Sequence, residues 1–243
     1  MLSGDPDSQE LTQKACRNRE VPVKVSEIWR YPVKTMAGEK LQRAVLGPQG
    51  IDGDRIVHVE DAAKRVITSR THPRFLGHKG SIGANGLVMV DARPWDDAGV
   101  ADDVAAIAGP GAKLVPDDGP GRFDVLPLLV ATDGAIAAFG HDHRRLRANI
   151  VIEGVEGMTE RDWPGGILLI GEVRIGVQDL RLRCVMTSYD PDTQVQDKAI
   201  TRSIYRRFDG KLALNCFVIT GGVIAVGDEV HFARGRPADN TRA

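Results

Sequence analysis

Short β-prone runs, cut apart by glycine, proline and aspartate, occupy most of this chain, and that punctuation constrains its fold more than any other feature. The runs are VPVKVSEIWRYPV, LQRAVLGP, DRIVHVED, RVITSR, GLVMVDA, VLPLLVAT, ANIVIEGV, ILLIGEVRIGVQDL, LRCVMTSY, CFVITGG and VIAVGDEVHFA. The first, starting at residue 21, alternates apolar and polar positions as a half-buried strand does. Three pairs, Gly53-Asp54, Gly171-Glu172 and Gly227-Asp228, sit at the start or in the middle of such runs. Glycine reaches positive φ at no steric cost and an acidic neighbour tolerates a tight turn, so each pair predicts a hairpin or a bulge. Many short strands joined in this way favour antiparallel sheets closing into barrels.

Helical signal is sparse. Residues 100–108 (VADDVAAIA) are alanine-rich and stop at Gly109-Pro110. Residues 133–139 suit a short helix capped by Thr132 or Asp133. Residues 196–208 place Ala199, Ile200, Ser203, Ile204 and Phe208 close to a helical stripe, closed by Asp209-Gly210. The stretch 115–123 (VPDDGPGRF) is the best linker. The expected class is therefore mainly β with some α (α+β), built as two β-barrel-like lobes that divide near residue 120. In this reading residues 1–20 are a disordered lead, 21–120 the first lobe, 121–235 the second and 236–243 a flexible tail.

Composition limits the function. With 42% hydrophobic and 27% charged residues, a 243-residue chain can bury a real core. A net charge of −1 gives no field to attract nucleic acid or an acidic membrane surface. No apolar run is long enough to span a bilayer, and the polar N-terminus has no signal-peptide core. Three cysteines, Cys16, Cys184 and Cys216, form no CxxC pair, which points to a reducing, cytoplasmic setting.

The most informative stretch is 180–193, LRLRCVMTSYDPDT, where a strand carrying Arg181, Arg183 and Cys184 runs into a turn built by Asp190-Pro191-Asp192. Two arginines beside a thiol favour the thiolate, which binds soft metals or attacks electrophiles; the alternative is a cysteine packed as a small hydrophobe. Arg144, Arg145 and Arg147 precede Asn149 at the start of another strand. Arginine forks match phosphate oxygens, although taken alone the cluster reads better as a solvated basic face. Lys34 after Tyr31-Pro32-Val33, Arg55 after Gly53-Asp54, and Ser69-Arg70 are similar anion donors. Together they hint at one focused pocket in a chain without net positive charge. His141-Asp142-His143 lacks further metal ligands nearby, and Cys216 in LNCFVIT suits a core. There is no GxGxxG, Walker loop or GxSxG.

In order, EIWRYPVKTMAGEKL, GIDGDR, ITSRTHPRFL, PLLVATDGAI, RRLRANIVIEG, ERDWPGGILLIGEVRIGV, LRLRCVMTSYDPDT, LNCFV and IAVGDEV resemble the MOSC-domain family with its N-terminal β-barrel partner. The resemblance covers about residues 23–232. It implies an MOSC N-terminal β-barrel followed by an MOSC β-barrel, with a molybdenum cofactor (Mo-molybdopterin) between them. It implies that Cys184 is the thiolate ligand to molybdenum, that Lys34, Arg55 and Arg147 contact the cofactor's phosphate or pterin, and that Asn149 belongs to the same motif. Ser69, Arg70 and Arg183 would line the cofactor. Thr132 and Asp133 would approach the pterin and the metal, giving them, with Cys184, a catalytic role. Asp190 would shape the metal loop. The chain has Ala131-Thr132-Asp133-Gly134 where amidoxime reductases carry a Ser/Thr-rich loop, and Arg147-Ala148-Asn149 in place of RPN; these changes bear on substrate preference. The implied function is an oxidoreductase of N-hydroxylated or N-oxide small molecules, served by a separate flavin- or haem-containing electron donor. A sulfur or cofactor carrier without turnover is the alternative, and a barrel module binding some other phosphate is a third.

Overall fold

Alternation in the sequence becomes one long sheet that draws on both halves of the chain. The computed structural model describes residues 22–117 and 119–234. The segment 1–20, the tail 236–243 and Cys16 lie outside the described residues.

The first half contains β1 (Lys24–Arg30), β2 (Glu39–Leu41), β3 (Arg43–Gly47), β4 (Gly50–Ile51), β5 (Val57–Glu60), β6 (Val66–Ile67), β7 (Gly80–Ile82), β8 (Val88–Val90), β9 (Arg93–Pro94), α1 (Ala98–Ala108) and β10 (Lys113–Pro116). The second half contains β11 (Leu128–Thr132), α2 (Asp133–Phe139), β12 (Ile150–Glu153), β13 (Ile167–Ile170), β14 (Val173–Leu182), α3 (Lys198–Phe208), β15 (Lys211–Thr220), β16 (Gly222–Ala225) and β17 (His231–Ala233). The fold is mainly β, as expected.

Eight strands form the principal sheet in the order β17-β13-β14-β15-β11-β12-β1-β2. Its pairs are antiparallel except β11–β12. A parallel pair needs a crossover, which α2 and the 3-10 turn His143–Leu146 provide. The hydrogen-bonded sheets cross residue 120: β1 and β2 belong to the principal sheet, while β16 pairs with β3. The strand order is open at β17 and β2, yet the sheet curls. Lys24 in β1 bridges to Glu229 just before β17. Val25 N–H donates to the Asp228 carbonyl at 2.9 Å, and Val230 N–H to that of Val23 at 2.8 Å.

Inward-facing Ile28, Val130, Ile150, Ile152, Leu168, Ile175 and Leu214 fill the curl. A second cluster packs α2 and α3 against the sheet through Ala135, Phe139, Ile200, Ile204 and Phe208. A third, with Val57, Val59, Phe75, Val100 and Val104, fills the first half. Caps set the helix ends. Asp97 accepts from Gly99 N–H and Asp197 from Ala199 N–H, while Thr132 Oγ1 accepts from Ala135 N–H. The last helix starts at Lys198, two residues later than its apolar stripe suggests, because Asp197 is the cap. Gly53, Gly171 and Gly227 all have positive φ, as the turn pairs require.

One run departs from expectation. LRCVMTSY does not stay extended: β14 ends at Leu182, and Val185–Ser188 forms a 3-10 turn beginning after Cys184. Thr187 Oγ1 donates to the Cys184 carbonyl at 3.0 Å and Ser188 Oγ to the Val185 carbonyl at 2.6 Å. Hydroxyls that bond back to the local backbone compete with a ladder and bend the chain. Among the described residues, no helix is long and apolar enough to cross a membrane.

Two outcomes follow from this packing. Leu168→Ala, at a fully buried position, is expected to lower stability by about 3 kcal/mol and Tm by roughly 6–12 °C, read by denaturant and thermal unfolding. Glu160 is fully buried and accepts from Thr132 N–H at 3.1 Å and from Thr132 Oγ1. Burial raises its pKa, and the Thr132 hydrogen bonds offset only part of that. A carboxyl with a raised folded pKa favours the native state most below its ordinary pKa, and this is lost as pH rises through the folded value. Glu160→Gln is therefore expected to melt above wild type at pH 8, with the gap closing as pH falls toward 4.5; a gap independent of pH would contradict this.

Candidate functional site

The cleft begins with turns that place cations. Tyr31 leads into Pro32, and Lys34 follows with its N–H on the Val57 carbonyl at 2.7 Å. Its ammonium meets the Arg122 carbonyl at 2.9 Å and Asp124 at 3.2 Å. Arg55 sits in the left-handed region, φ 56°, directly after the Gly53-Asp54 turn. Its guanidinium pairs with Asp54 and lies 5.2 Å from the Tyr31 ring centroid. Arg147, also left-handed with φ 56°, ends the turn His143–Leu146. It lies 4.3 Å from the same centroid and donates to the Met36 carbonyl at 2.7 Å. Burial pushes the Arg147 pKa down to about 10, and burial pushes the Tyr31 hydroxyl up to about 12 against the pull of Arg147 and Arg55.

Asp54, with no solvent exposure, anchors this corner. Its carboxylate accepts from Tyr31 N–H at 2.7 Å and from Asn149 Nδ2 at 3.1 Å, besides Arg55. Asn149 also accepts Leu129 N–H at 3.1 Å, joining β11 to the start of β12. Ser69 is fully buried and donates to the Thr35 carbonyl at 2.6 Å.

The opposite wall comes from the end of β14. Arg181 points to Asn215 Oδ1 at 3.4 Å and to Asp124 at 3.8 Å. Arg183 is buried and donates one N–H to the Leu146 carbonyl at 2.8 Å, while its Nε and Nη1 have no partner. Burial lowers its pKa to about 10. Cys184 is a free, half-buried thiol on the same wall. Cys216 is buried in the core, where burial pushes its thiol pKa up.

Lys34, Arg55, Arg70, Arg147, Arg181 and Arg183 thus line one cleft, with Asp124 as its carboxylate. A second, more open cavity of about 580 Å³ adjoins it and shares Arg70, Asp124, Arg181, Cys184 and Asn215. Asp179 and Lys211 belong to that mouth alone, and Asn215 Nδ2 donates to Asp179 at 2.6 Å.

Of the residues singled out in the sequence, Cys184, Lys34, Arg55, Ser69, Arg70, Arg147, Asn149 and Arg183 converge here. Three do not. Thr132 caps α2 and bonds Glu160, outside the cleft lining. The Asp133 carboxylate accepts from Gly154 N–H at 2.8 Å and Val155 N–H at 3.0 Å, so it ties α2 to the end of β12. Asp190 accepts from Thr193 N–H at 2.9 Å, Asp192 N–H at 3.1 Å and Arg145 at 2.8 Å; it shapes the turn after the cysteine rather than facing the cleft. Sequence reasoning missed Asp54, Asp124, Asp179 and Asn215. The Gly53-Asp54 turn signalled only a bend, and Asp124 stands in a linker-like stretch without a motif.

Comparison with known proteins places the architecture. The MOSC N-terminal beta barrel domain model matches residues 22–122 and the MOSC domain model matches residues 134–231. The human mitochondrial amidoxime-reducing component 1 is 31% identical over 135 residues, covering 48% of this chain and 40% of that protein. The human mitochondrial amidoxime reducing component 2 is 33% identical over 81 residues, covering 31% and 24% respectively. The chain therefore matches less than half the length of either relative. The solved YUAD protein from Bacillus subtilis superposes with a TM-score of 0.50 at 13% identity over 89% of this chain and 98% of that one, a likeness of fold alone. With its two domain models in sequence, the chain belongs to the MOSC-domain family, an N-terminal beta barrel domain preceding the MOSC domain.

Proposed function

We propose that this cleft holds a molybdenum cofactor through its phosphate and its metal, and that the protein uses it to reduce N-hydroxylated or N-oxide small molecules. One observation carries the reading: a free thiol shares one cleft with six cationic side chains. The thiolate form is a ligand for soft metals, and arginine forks suit phosphate. The donor set fits the group. Arg183 keeps two buried nitrogens, Nε and Nη1, without acceptors, a costly arrangement that an anion's oxygens would relieve. Among the described residues there is no group of three His, Cys, Asp or Glu side chains able to hold a metal ion. A metal that brings its other ligands with it, as a cofactor's does, suits a lone cysteine in such a lining. The names of the human relatives support the substrate class.

When bound, the cofactor supplies the two-electron exchange that cleaves an N–O bond. The protein's part is placement and charge. Arg147 and Arg55 already pack against Tyr31, so less ordering entropy is lost when they meet a phosphate. Lys34 and Arg70 add charge from the first half, and Arg181 and Arg183 from the second. The open mouth beside Cys184 admits the substrate, with Asp179 and Asn215 as its polar floor. Overall, a hydroxylamine takes up two electrons and two protons and yields an amine and water. A separate flavin- or haem-containing donor protein supplies the electrons.

The test uses protein made in a host that produces the cofactor. Cys184→Ser is expected to drop bound molybdenum at least tenfold by elemental analysis and to abolish hydroxylamine reduction with a chemical electron donor, while its circular dichroism stays unchanged. Normal turnover by that variant would overturn the reading. Wild-type protein that carries stoichiometric molybdenum yet reduces neither hydroxylamines nor N-oxides would make it a carrier.

A further inference from the structure

We propose that Asp124 is the cleft's resident counter-ion, whose carboxylate occupies the place of a ligand phosphate and must be displaced when that phosphate binds. The idea rests on the cleft taking a phosphate-bearing ligand, as proposed above, but not on the metal.

Asp124 lies between the two family-model matches, in neither domain. Its Oδ1 is 3.2 Å from Lys34 Nζ, and its Oδ2 is 2.6 Å from Arg70 Nη2 and 3.8 Å from Arg181 Nη2. Lys34 and Arg70 come from the first half and Arg181 from the second, so one linker carboxylate joins cations of both. It lines both the narrow cleft and the open mouth, beside Cys184. Asp124 is the acid among six lining cations, and three of those six spend their charge on it. A phosphate offers more oxygens and up to twice the charge to the same donors. Both anions cannot hold these three side chains at once, so the intramolecular carboxylate competes and weakens the ligand's apparent affinity by the fraction of time it is seated. Asp124 is then a specificity-determining residue: it lets a dianion win where a monoanion or chloride does not.

The experiment measures pyrophosphate binding by calorimetry on the full chain at fixed salt. Asp124→Asn is expected to bind pyrophosphate at least tenfold more tightly than wild type. Asp124→Glu, which keeps the charge, is expected to stay close to wild type. Asp192→Asn changes the net charge equally at an exposed ion pair outside the cleft, and is expected to shift affinity less than twofold. Thermal melting gives a second readout. Asp124→Asn should melt below wild type without anion and gain more from added pyrophosphate than wild type does. If Asp124→Asn binds pyrophosphate no tighter than wild type, the carboxylate is only a structural ion pair and the proposal is overturned, while loss of molybdenum in Cys184→Ser would still uphold the cofactor reading. Equal tightening in Asp192→Asn would overturn it too, by showing a bulk charge effect.

Discussion

The site hangs on a single carboxylate without solvent exposure. Asp54 gathers the Tyr31 N–H, the Asn149 amide and the Arg55 guanidinium, and so fastens the end of β1, the turn after β4 and the start of β12 at one point. A buried charge is tolerable only when its oxygens are fully bonded. That demand fixes the three backbones relative to one another. Both cation-bearing left-handed residues, Arg55 and Arg147, then stand over the same Tyr31 ring.

Packing so many guanidinium groups together costs energy, and the structure meets that cost piecemeal. Backbone carbonyls of Met36 and Leu146 accept from Arg147 and Arg183. The Tyr31 ring face takes two guanidiniums, and Asp124 takes Arg70 and Lys34. The compensation is incomplete, as the unpartnered nitrogens of Arg183 and the lowered pKa values of Arg147 and Arg183 attest. Such a concentration of cations suits an anion, because the positive charge is already gathered in one place.

The sheet supplies the geometry. Because β1 and β2 pair into a sheet made mostly of second-half strands, cations from residues 34, 55 and 70 meet those from 147, 181 and 183 in one cleft. The break of β14 after Leu182 frees Cys184 from the ladder, and the hydroxyls of Thr187 and Ser188 hold the turn that follows. A thiol inside a regular strand would have had its direction set by the pleat; past the strand end, it takes a place on the wall shared by the cleft and its open mouth.

Local chemistry made much of this legible. Alternation and Gly-acid pairs marked the strands and turns, caps and stripes marked the helices at 98–108, 133–139 and 198–208, and the motif order marked the family. Cys184 and the cations from Lys34 to Arg183 stood out because thiols and arginines carry chemistry wherever they lie. What stayed hidden depended on distance along the chain. Asp124 gains its meaning only from partners 90, 54 and 57 residues away, at Lys34, Arg70 and Arg181. The family resemblance gave Thr132 and Asp133 a catalytic role, but in the fold their oxygens are engaged by Glu160 and by the backbone of Gly154 and Val155. The sequence by itself determined most of the segments that extend, turn or coil, since those preferences are short-range. Only the tertiary structure decided which polar groups would be satisfied internally and which, like the Nε and Nη1 of Arg183, would not, since that depends on pairings across the sheet that no local pattern encodes.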